Sequence, residues 1–484
     1  MPIDFKNKKV LVMGLGVLGG GVATTKWFVK HGAKVTVTDL RSRKELASSI
    51  RALGSVARRV RFVLGKHRTS DFVSNDIIVA SPAIRRESPF LKAAVHAKKR
   101  IVNDAQLFFD NVKDSVVAIT GTRGKTTTTS WIAHFLKTAD SQVRAGGNMP
   151  DMPLLMLLER VHKPRTPFVV ELSSWQLEHV AKAKKGPDIA VITNIYPDHL
   201  NRYRSMRQYM YAKSNIFSQQ NKNQKLILNA DNPASLFFLT LRRRKSKLYF
   251  FSKKTLTRTR SGIYINRGSV YVRDEKRVRR ILGPRLLREV EMRGSHNVDN
   301  FLASALASYL MGISPRAIQR SVHSLPDIRY REEVVMRRKR LIFVNDSAAT
   351  SPDATIAALR RFSNHGVLLI TGGTDKKLIF DGWARTVKRH VSPENLFLLE
   401  GSATKKMIWE LKKTGYFKKE TPRVFRDLKG LLAAIRMQLL TTHYSLPTII
   451  LFSPGAASFE LFKNEFDRGE KCNQYAKKFF KDLT

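Results

Sequence analysis

Cysteine is nearly absent from this chain, and acidic residues are few for its length. Among 484 residues Cys472 is the only cysteine, which excludes an intrachain disulfide and makes a reducing compartment the expected setting. Asp and Glu total 39 against 87 Lys and Arg, a formal charge of +48. A field of that size attracts polyanions. Yet the basic residues run along the whole chain, with local clusters such as LRRRKSK (Leu241 to Lys247) and MRRKR (Met336 to Arg340). Neither zinc-finger spacing nor an aromatic-interleaved RNA-binding signature goes with them. The excess is read as compositional, and no specific nucleic-acid partner is expected. Long apolar runs are also missing, so no membrane insertion is expected. The one stretch that looks like a secretory signal, VLVMGLGVLGGGVATT after Lys8 and Lys9, is rich in glycine and leads into KWFVKHGAKVTVTD. A strand, a turn, a helix and a second strand account for all of it, whereas a signal peptide accounts for the first half alone. A cytoplasmic monomer is the expectation.

Short β-branched runs alternate with longer helical patterns from end to end, the mark of an α/β chain with parallel sheets. Its length requires more than one core, and three blocks of strands set the expected domains at 1–112, 113–325 and 326–484. The first holds KKVLVMG, KVTVTD, DIIVASP and RIVND; the second SVVAITG, PFVVELS, IAVITNI and KLILNA; the third RLIFVND, GVLLITGG, LFLLEG and TIILFSP. The basic, turn-rich stretch from Lys245 to Leu282 reads as a small antiparallel excursion of the middle domain. Polar or glycine-bearing clusters follow the strands: GTRGKT, ELSSWQ, NIYPDH, NDSAAT, GGTDKK and SPGAAS. Ligands of open parallel sheets bind beyond the carboxyl ends of strands, so this placement predicts an active site between domains.

Four constellations carry chemistry. AITGTRGKTT misses the generic phosphate-loop pattern, because the position that should hold the first glycine is Ile119. It still follows a strand and precedes a helix, the context in which backbone N–H groups cradle phosphates, Lys125 reaches the terminal ones and Thr126 faces Mg²⁺. The plainer reading is a glycine turn with a surface lysine. Glu171 ends the strand FVVE and is a natural oxygen ligand for a hard cation beside a triphosphate; a capping or salt-bridged glutamate is the alternative, and Glu178 further on reads as structural. Asp198 and His199 end the next strand, where a metal role competes with an ordinary packed histidine. Gly14, Gly16 and Gly19 have the spacing of a dinucleotide fingerprint, with Asp39 at the end of the following strand. A hydride-transferring oxidoreductase could use that loop, but it would leave the second phosphate loop idle.

Taken together, the chain resembles the Mur ligases. GTRGKT matches the family's loop G-T-x-G-K-[ST], and GGNMP, ELSSWQLE, DHLNRY, YAKSNIF, NADN, SHNVDN, YREEV, NDSAAT and SPGAASFELFKNEFDRG occur in the family's order. The resemblance implies three domains: a Rossmann-like N-terminal domain that binds a UDP substrate, a central ATPase domain with the phosphate loop, and a Rossmann-like C-terminal domain that binds the amino acid. It implies ATP-dependent addition of D-glutamate to UDP-N-acetylmuramoyl-L-alanine through an acyl phosphate, in peptidoglycan precursor synthesis. The nearest alternatives are a ligase adding L-glutamate to the same acceptor and another Mur or folylpolyglutamate-type ligase. Carried over by motif, Gly121, Thr122, Arg123, Gly124, Lys125, Thr126 and Thr127 hold ATP, with Asn297 and Asn300 at adenine and Arg331 and Asp346 from the C-terminal domain. Thr126, Glu171, His199 and Lys213 serve Mg²⁺, Lys213 as a carbamate derived from CO₂. Gly14, Gly16, Val17, Leu18, Gly19, Asp39, Arg41, Ser81 and Asn148 take the UDP substrate, Asn148 also reaching the phosphate region. Thr350, Lys376, Ser458 and Phe466 receive the amino acid. Three positions depart from the pattern: Ala348 stands where some members have lysine, Tyr196-Pro197 precede Asp198, and Glu465-Phe466 reverse an aromatic–acid pair. The last leaves the stereochemistry of the glutamate open.

Overall fold

The computed structural model describes residues 4–139, 142–149, 152–159, 166–200, 202–242, 244–275, 277–338, 340–418, 420–442 and 447–482, apart from the side chains of 295 and 296. The chain forms two compact units, Met1–Pro326 and Asp327–Thr484.

The first unit holds two sheets. Strands β1 (Lys9–Met13), β2 (Lys34–Asp39), β3 (Val60–Leu64), β4 (Ile77–Ala80) and β5 (Arg100–Val102) pair in the order β3-β2-β1-β4-β5, and every pairing is parallel. The order reverses between β1 and β4, which opens a crevice at their carboxyl ends; Gly14 and Ser81 sit there. The second sheet comprises β6 (Val116–Thr120), β7 (Arg144–Gly147), β8 (Phe168–Glu171), β9 (Ile189–Ile192), β10 (Lys225–Asn229), β11 (Lys247–Ser252), β12 (Gly262–Asn266), β13 (Ser269–Asp274) and β14 (Arg277–Leu282), ordered β14-β13-β12-β11-β10-β9-β6-β8-β7. Strand β6 lies between β8 and β9, so the phosphate-loop motif emerges at this sheet's reversal point.

β6, β8 and β9 are buried along their whole lengths, as expected of parallel strands covered on both faces, and this is why VVAIT and IAVI read as unbroken apolar runs rather than alternating ones. One apolar cluster runs from Phe5, Trp27 and Val37 beneath the first sheet to Phe168, Val170 and Leu228 of the second. The opposite face of the second sheet is covered by the helices Lys125–Lys137 and Ser295–Leu310 through Trp131, Phe135, Phe301 and Leu302. Burying each such side chain stabilises by about 1.5–3 kcal/mol. Trp131 also donates its indole N–H to the Pro326 carbonyl at 3.0 Å.

The excursion expected over Lys245 to Leu282 is antiparallel only in part. β11 pairs parallel with β10, and β12 parallel with β11; the antiparallel ladder is confined to β12, β13 and β14. Turn-rich sequence marks the reversals but does not say which neighbour a strand's other edge takes.

The second unit has one sheet, β15 (Glu333–Arg338), β16 (Leu341–Asn345), β17 (Gly366–Gly372), β18 (Leu396–Leu399), β19 (Val424–Phe425) and β20 (Thr448–Phe452), ordered β15-β16-β20-β17-β18-β19. Only β15 runs antiparallel to its neighbour. Separate apolar cores cover its faces, one around Trp383, Met407 and Leu411, the other around Leu431, Ile435 and Phe480. No helix among the described residues is long and apolar enough to cross a membrane.

Candidate active site

The phosphate-loop motif occupies the turn between β6 and the helix Lys125–Lys137. Gly124 caps that helix at φ 79°, a left-handed value that disfavours any side chain. A Cβ there would also run into the Asn300 amide oxygen. The loop is latched from the carboxyl end of β9. Thr122 N–H donates to the Asn194 carbonyl and Arg123 N–H to the Asn194 side-chain oxygen, both at 2.9 Å. The Thr193 hydroxyl donates to the Arg123 carbonyl at 2.6 Å. The Arg123 guanidinium lies 5.5 Å from the Tyr196 ring.

Glu171, only 2% exposed, ends β8 and gathers the next group. Its carboxylate accepts the Thr126 hydroxyl at 2.7 Å and the Asn148 amide at 3.1 Å, while the Asn148 N–H donates to the Glu171 carbonyl at 2.9 Å. Thr126, Glu171 and Asn148 therefore form one connected set. Lys213, on the helix Met206–Ser214, is equally buried. It donates to the Gly121 carbonyl at 2.8 Å and to the Thr120 hydroxyl at 3.3 Å. Burial, then the neighbouring Lys125 ammonium, pushes its pKa well below the usual lysine range, against the pull of Asp198 and Glu171. His199 takes a left-handed φ of 54° and packs against Trp175, with ring centroids 5.3 Å apart, and Tyr209. The Tyr209 hydroxyl in turn meets that of Thr122 at 3.1 Å. Asn297 and Asn300 are hydrogen-bonded to each other at 2.9 Å on the helix facing Gly124.

A hydroxyl and a carboxylate held 2.7 Å apart beside the loop form an oxygen-rich donor set suited to a hard cation such as Mg²⁺. Among the described residues, no three His, Cys, Asp or Glu side chains converge as a self-sufficient metal cage.

The glycine loop forms a second cluster in the same unit. The Asp39 carboxylate accepts N–H groups from Gly16 at 3.0 Å and Arg41 at 2.9 Å, so it shapes the loop as well as facing it. Val17 and Leu18 are exposed at its tip. Gly14, at φ 94°, lies against Ser81.

In the second unit, the buried Asp346 accepts the Ser453 hydroxyl at 2.8 Å and the Glu332 N–H at 3.2 Å. Burial and the Glu332 carboxylate raise its pKa, and the nearby Arg331 opposes them. Thr350 follows Ala348 in a tight turn, and Lys376 lies 5.8 Å from the Phe459 ring. The Ser458 hydroxyl is buried with no hydrogen-bond partner among the described residues, an unmet polar demand of the kind a ligand answers. Phe466 is 40% exposed and meets Tyr330 edge-on. Sequence reading did not single out Arg468, yet its buried guanidinium donates to the carbonyls of Ser347, Ala456 and Ala457 and so joins the NDSAAT and SPGAAS loops. Thr193, Asn194 and Arg202 were missed as well; their position at the strand end after β9 was the available signal.

Two sheets each carry a glycine-bearing loop at a strand-order reversal, the arrangement of a nucleotide-binding α/β protein, and family models specify which. The model for the Mur ligase middle domain matches residues 119–308, and that for the MurD-like N-terminal domain of Mur ligases matches residues 8–103. The chain belongs to the Mur ligase family. Within it, the UDP-N-acetylmuramoylalanine–D-glutamate ligase of Roseiflexus sp. (strain RS-1) is 35% identical over 99% of this chain and 100% of its own. The ligase of the same name from Borreliella afzelii (strain PKo) is 34% identical over 96% and 97%. Among solved structures, MurF ligase from Thermotoga maritima in complex with ADP has the same fold, with a TM-score of 0.56 at 15% identity over 99% of this chain and 96% of its own.

Proposed function

We propose that this protein is the ligase that joins D-glutamate to UDP-N-acetylmuramoyl-L-alanine at the expense of ATP, in peptidoglycan precursor synthesis. The observation that carries the reading is similarity, over essentially the whole chain, to ligases named for that reaction. The connected set Thr126, Glu171 and Asn148, with Lys125 in the neighbouring loop, supports it chemically.

A carboxylate is a poor acylating agent. In the proposed reaction one oxygen of the alanyl carboxylate attacks the γ-phosphorus, the bond to the β-phosphate oxygen breaks, and ADP departs. The glutamate amine then attacks the acyl carbon, and phosphate leaves carrying the carboxylate oxygen. Little covalent work falls to the protein; its task is to hold anions in line and to stabilise the charge that develops. Lys125, at the start of its helix, supplies a cation and backbone N–H groups to the phosphates. The residues fitted to hold Mg²⁺ are Thr126 and Glu171, whose oxygens lie 2.7 Å apart, joined on the family motif by His199 and Lys213; a bound Mg²⁺ would neutralise phosphate oxygens. We assign Lys213 as a carbamate: a protonated ammonium would repel the metal, and the depressed pKa favours the neutral amine that reacts with CO₂. Gly14 to Gly19 with Asp39, Arg41 and Ser81 hold the UDP moiety, while Thr350, Lys376, Ser458 and Phe466 receive glutamate.

Mass spectrometry of parallel reactions containing ATP, Mg²⁺, the acceptor and either D-glutamate, L-glutamate or another amino acid tests the reading. A product heavier by one glutamate residue is expected with D-glutamate alone. Product with L-glutamate alone, or with no amino acid tested, would overturn it.

A further inference from the structure

We propose that Arg202 is a positioning residue that fixes the acceptor-binding loop after β4 in register with the phosphate and metal loops. The inference rests on the ligase reading above. Arg202 follows His199 by one turn, and its N–H donates to the His199 carbonyl at 2.9 Å. Its side chain is 8% exposed and uses its whole planar fork. Nε and Nη2 donate to the two Glu178 oxygens, each at 3.0 Å. Nη1 donates to the Ala83 carbonyl at 3.0 Å, and Nη2 also to that of Ile84 at 3.1 Å. The guanidinium lies 4.8 Å from the Trp175 ring, the same ring that His199 meets edge-on.

These contacts make a continuous path. Ile84 N–H donates to the Ser81 carbonyl, and Ser81 N–H to that of Met13, both at 2.9 Å. A Cβ on Gly14 would lie 3.0 Å from Ser81 Cβ. From His199 the path thus runs through Arg202, Ile84 and Ser81 to the first glycine of the UDP loop. Arg86 of the same loop also reaches Glu178, donating to its carbonyl and lying 3.8 Å from its carboxylate, while Arg202 holds the Ala83 and Ile84 carbonyls. No lysine could replace that second link, because one ammonium cannot serve a carboxylate and two diverging carbonyls while lying flat on an indole. The ATP loop, by contrast, is latched by Thr193 and Asn194 without Arg202. The two substrates should therefore respond differently to its loss.

Steady-state kinetics of the full chain as wild type, Arg202→Lys and Glu178→Gln, with thermal melting of each, tests this. Arg202→Lys retains the charge and volume needed for folding. The expected result is a KM for the UDP acceptor at least tenfold above wild type, a KM for ATP within twofold, and a smaller rise for Glu178→Gln, which leaves the carbonyl contacts in place. Unchanged acceptor KM in Arg202→Lys, or acceptor and ATP KM rising together with a lowered melting temperature, would overturn the positioning role while leaving the ligase reading standing. A wild-type chain without D-glutamate-dependent turnover would overturn both.

Discussion

Lys213 is buried against the Tyr209 ring, the Gly121 carbonyl and the Thr120 hydroxyl with another ammonium nearby, and this sets what a substitution there will show. As the proposed metal-facing carbamate it cannot be replaced by a neutral side chain: Lys213→Ala should lose most ligase activity at saturating substrates while melting like wild type within a few degrees. Full activity of that variant would remove the carbamate from the account. His179 gives a second prediction. Burial, then the charges of Arg86, Lys182 and Arg202, lowers its pKa to about 4. An unfolded histidine takes a proton near pH 6.5, so below that pH the unfolded state binds the proton and the folded state does not. Stability is fully present above about 6.5 and is lost as pH falls towards 4, by roughly 2 kcal/mol at pH 5. His179→Gln should flatten the fall in melting temperature between pH 7.5 and 5; an identical pH dependence would contradict this. At this scale residue type in a strand-end context was enough to single out Lys125 and Glu171 as candidates, whereas Lys213 came only from the family resemblance. The sequence was not legible for Thr193, Asn194 and Arg202, because their importance lies in carbonyls they meet across the fold.

The element that matters most is the turn from β6 into the helix Lys125–Lys137. Only the absence of a Cβ lets Gly124 adopt φ 79° beneath Asn300. Gly124→Ala should cost about 1–3 kcal/mol in backbone strain and displaced packing and weaken ATP binding at least tenfold, measured by titration with a non-hydrolysable analogue. Wild-type affinity would show that the loop does not depend on that conformation. Strands β6, β8 and β9 were readable as unbroken β-branched runs because both faces are buried. β15, β19 and the β12–β14 ladder were harder. β15 and β19 are sheet-edge strands that no apolar run announces, and in the ladder the partner of each strand is decided by tertiary packing rather than by local pattern.

At the scale of the molecule, Asp327–Thr484 has its own sheet with an apolar core on each face. Residues 327–484 expressed alone should unfold in a single cooperative transition in urea; a gradual loss of signal would show that this unit needs the rest of the chain. What unites the glycine loop, the phosphate loop and the C-terminal loops is the proposed transfer of one carboxylate oxygen to phosphorus. That transfer can be followed directly. With UDP-N-acetylmuramoyl-L-alanine labelled with ¹⁸O in the alanyl carboxylate, the phosphate released during D-glutamate-dependent turnover should carry one labelled oxygen. Unlabelled phosphate accompanying product would contradict an acyl-phosphate ligase.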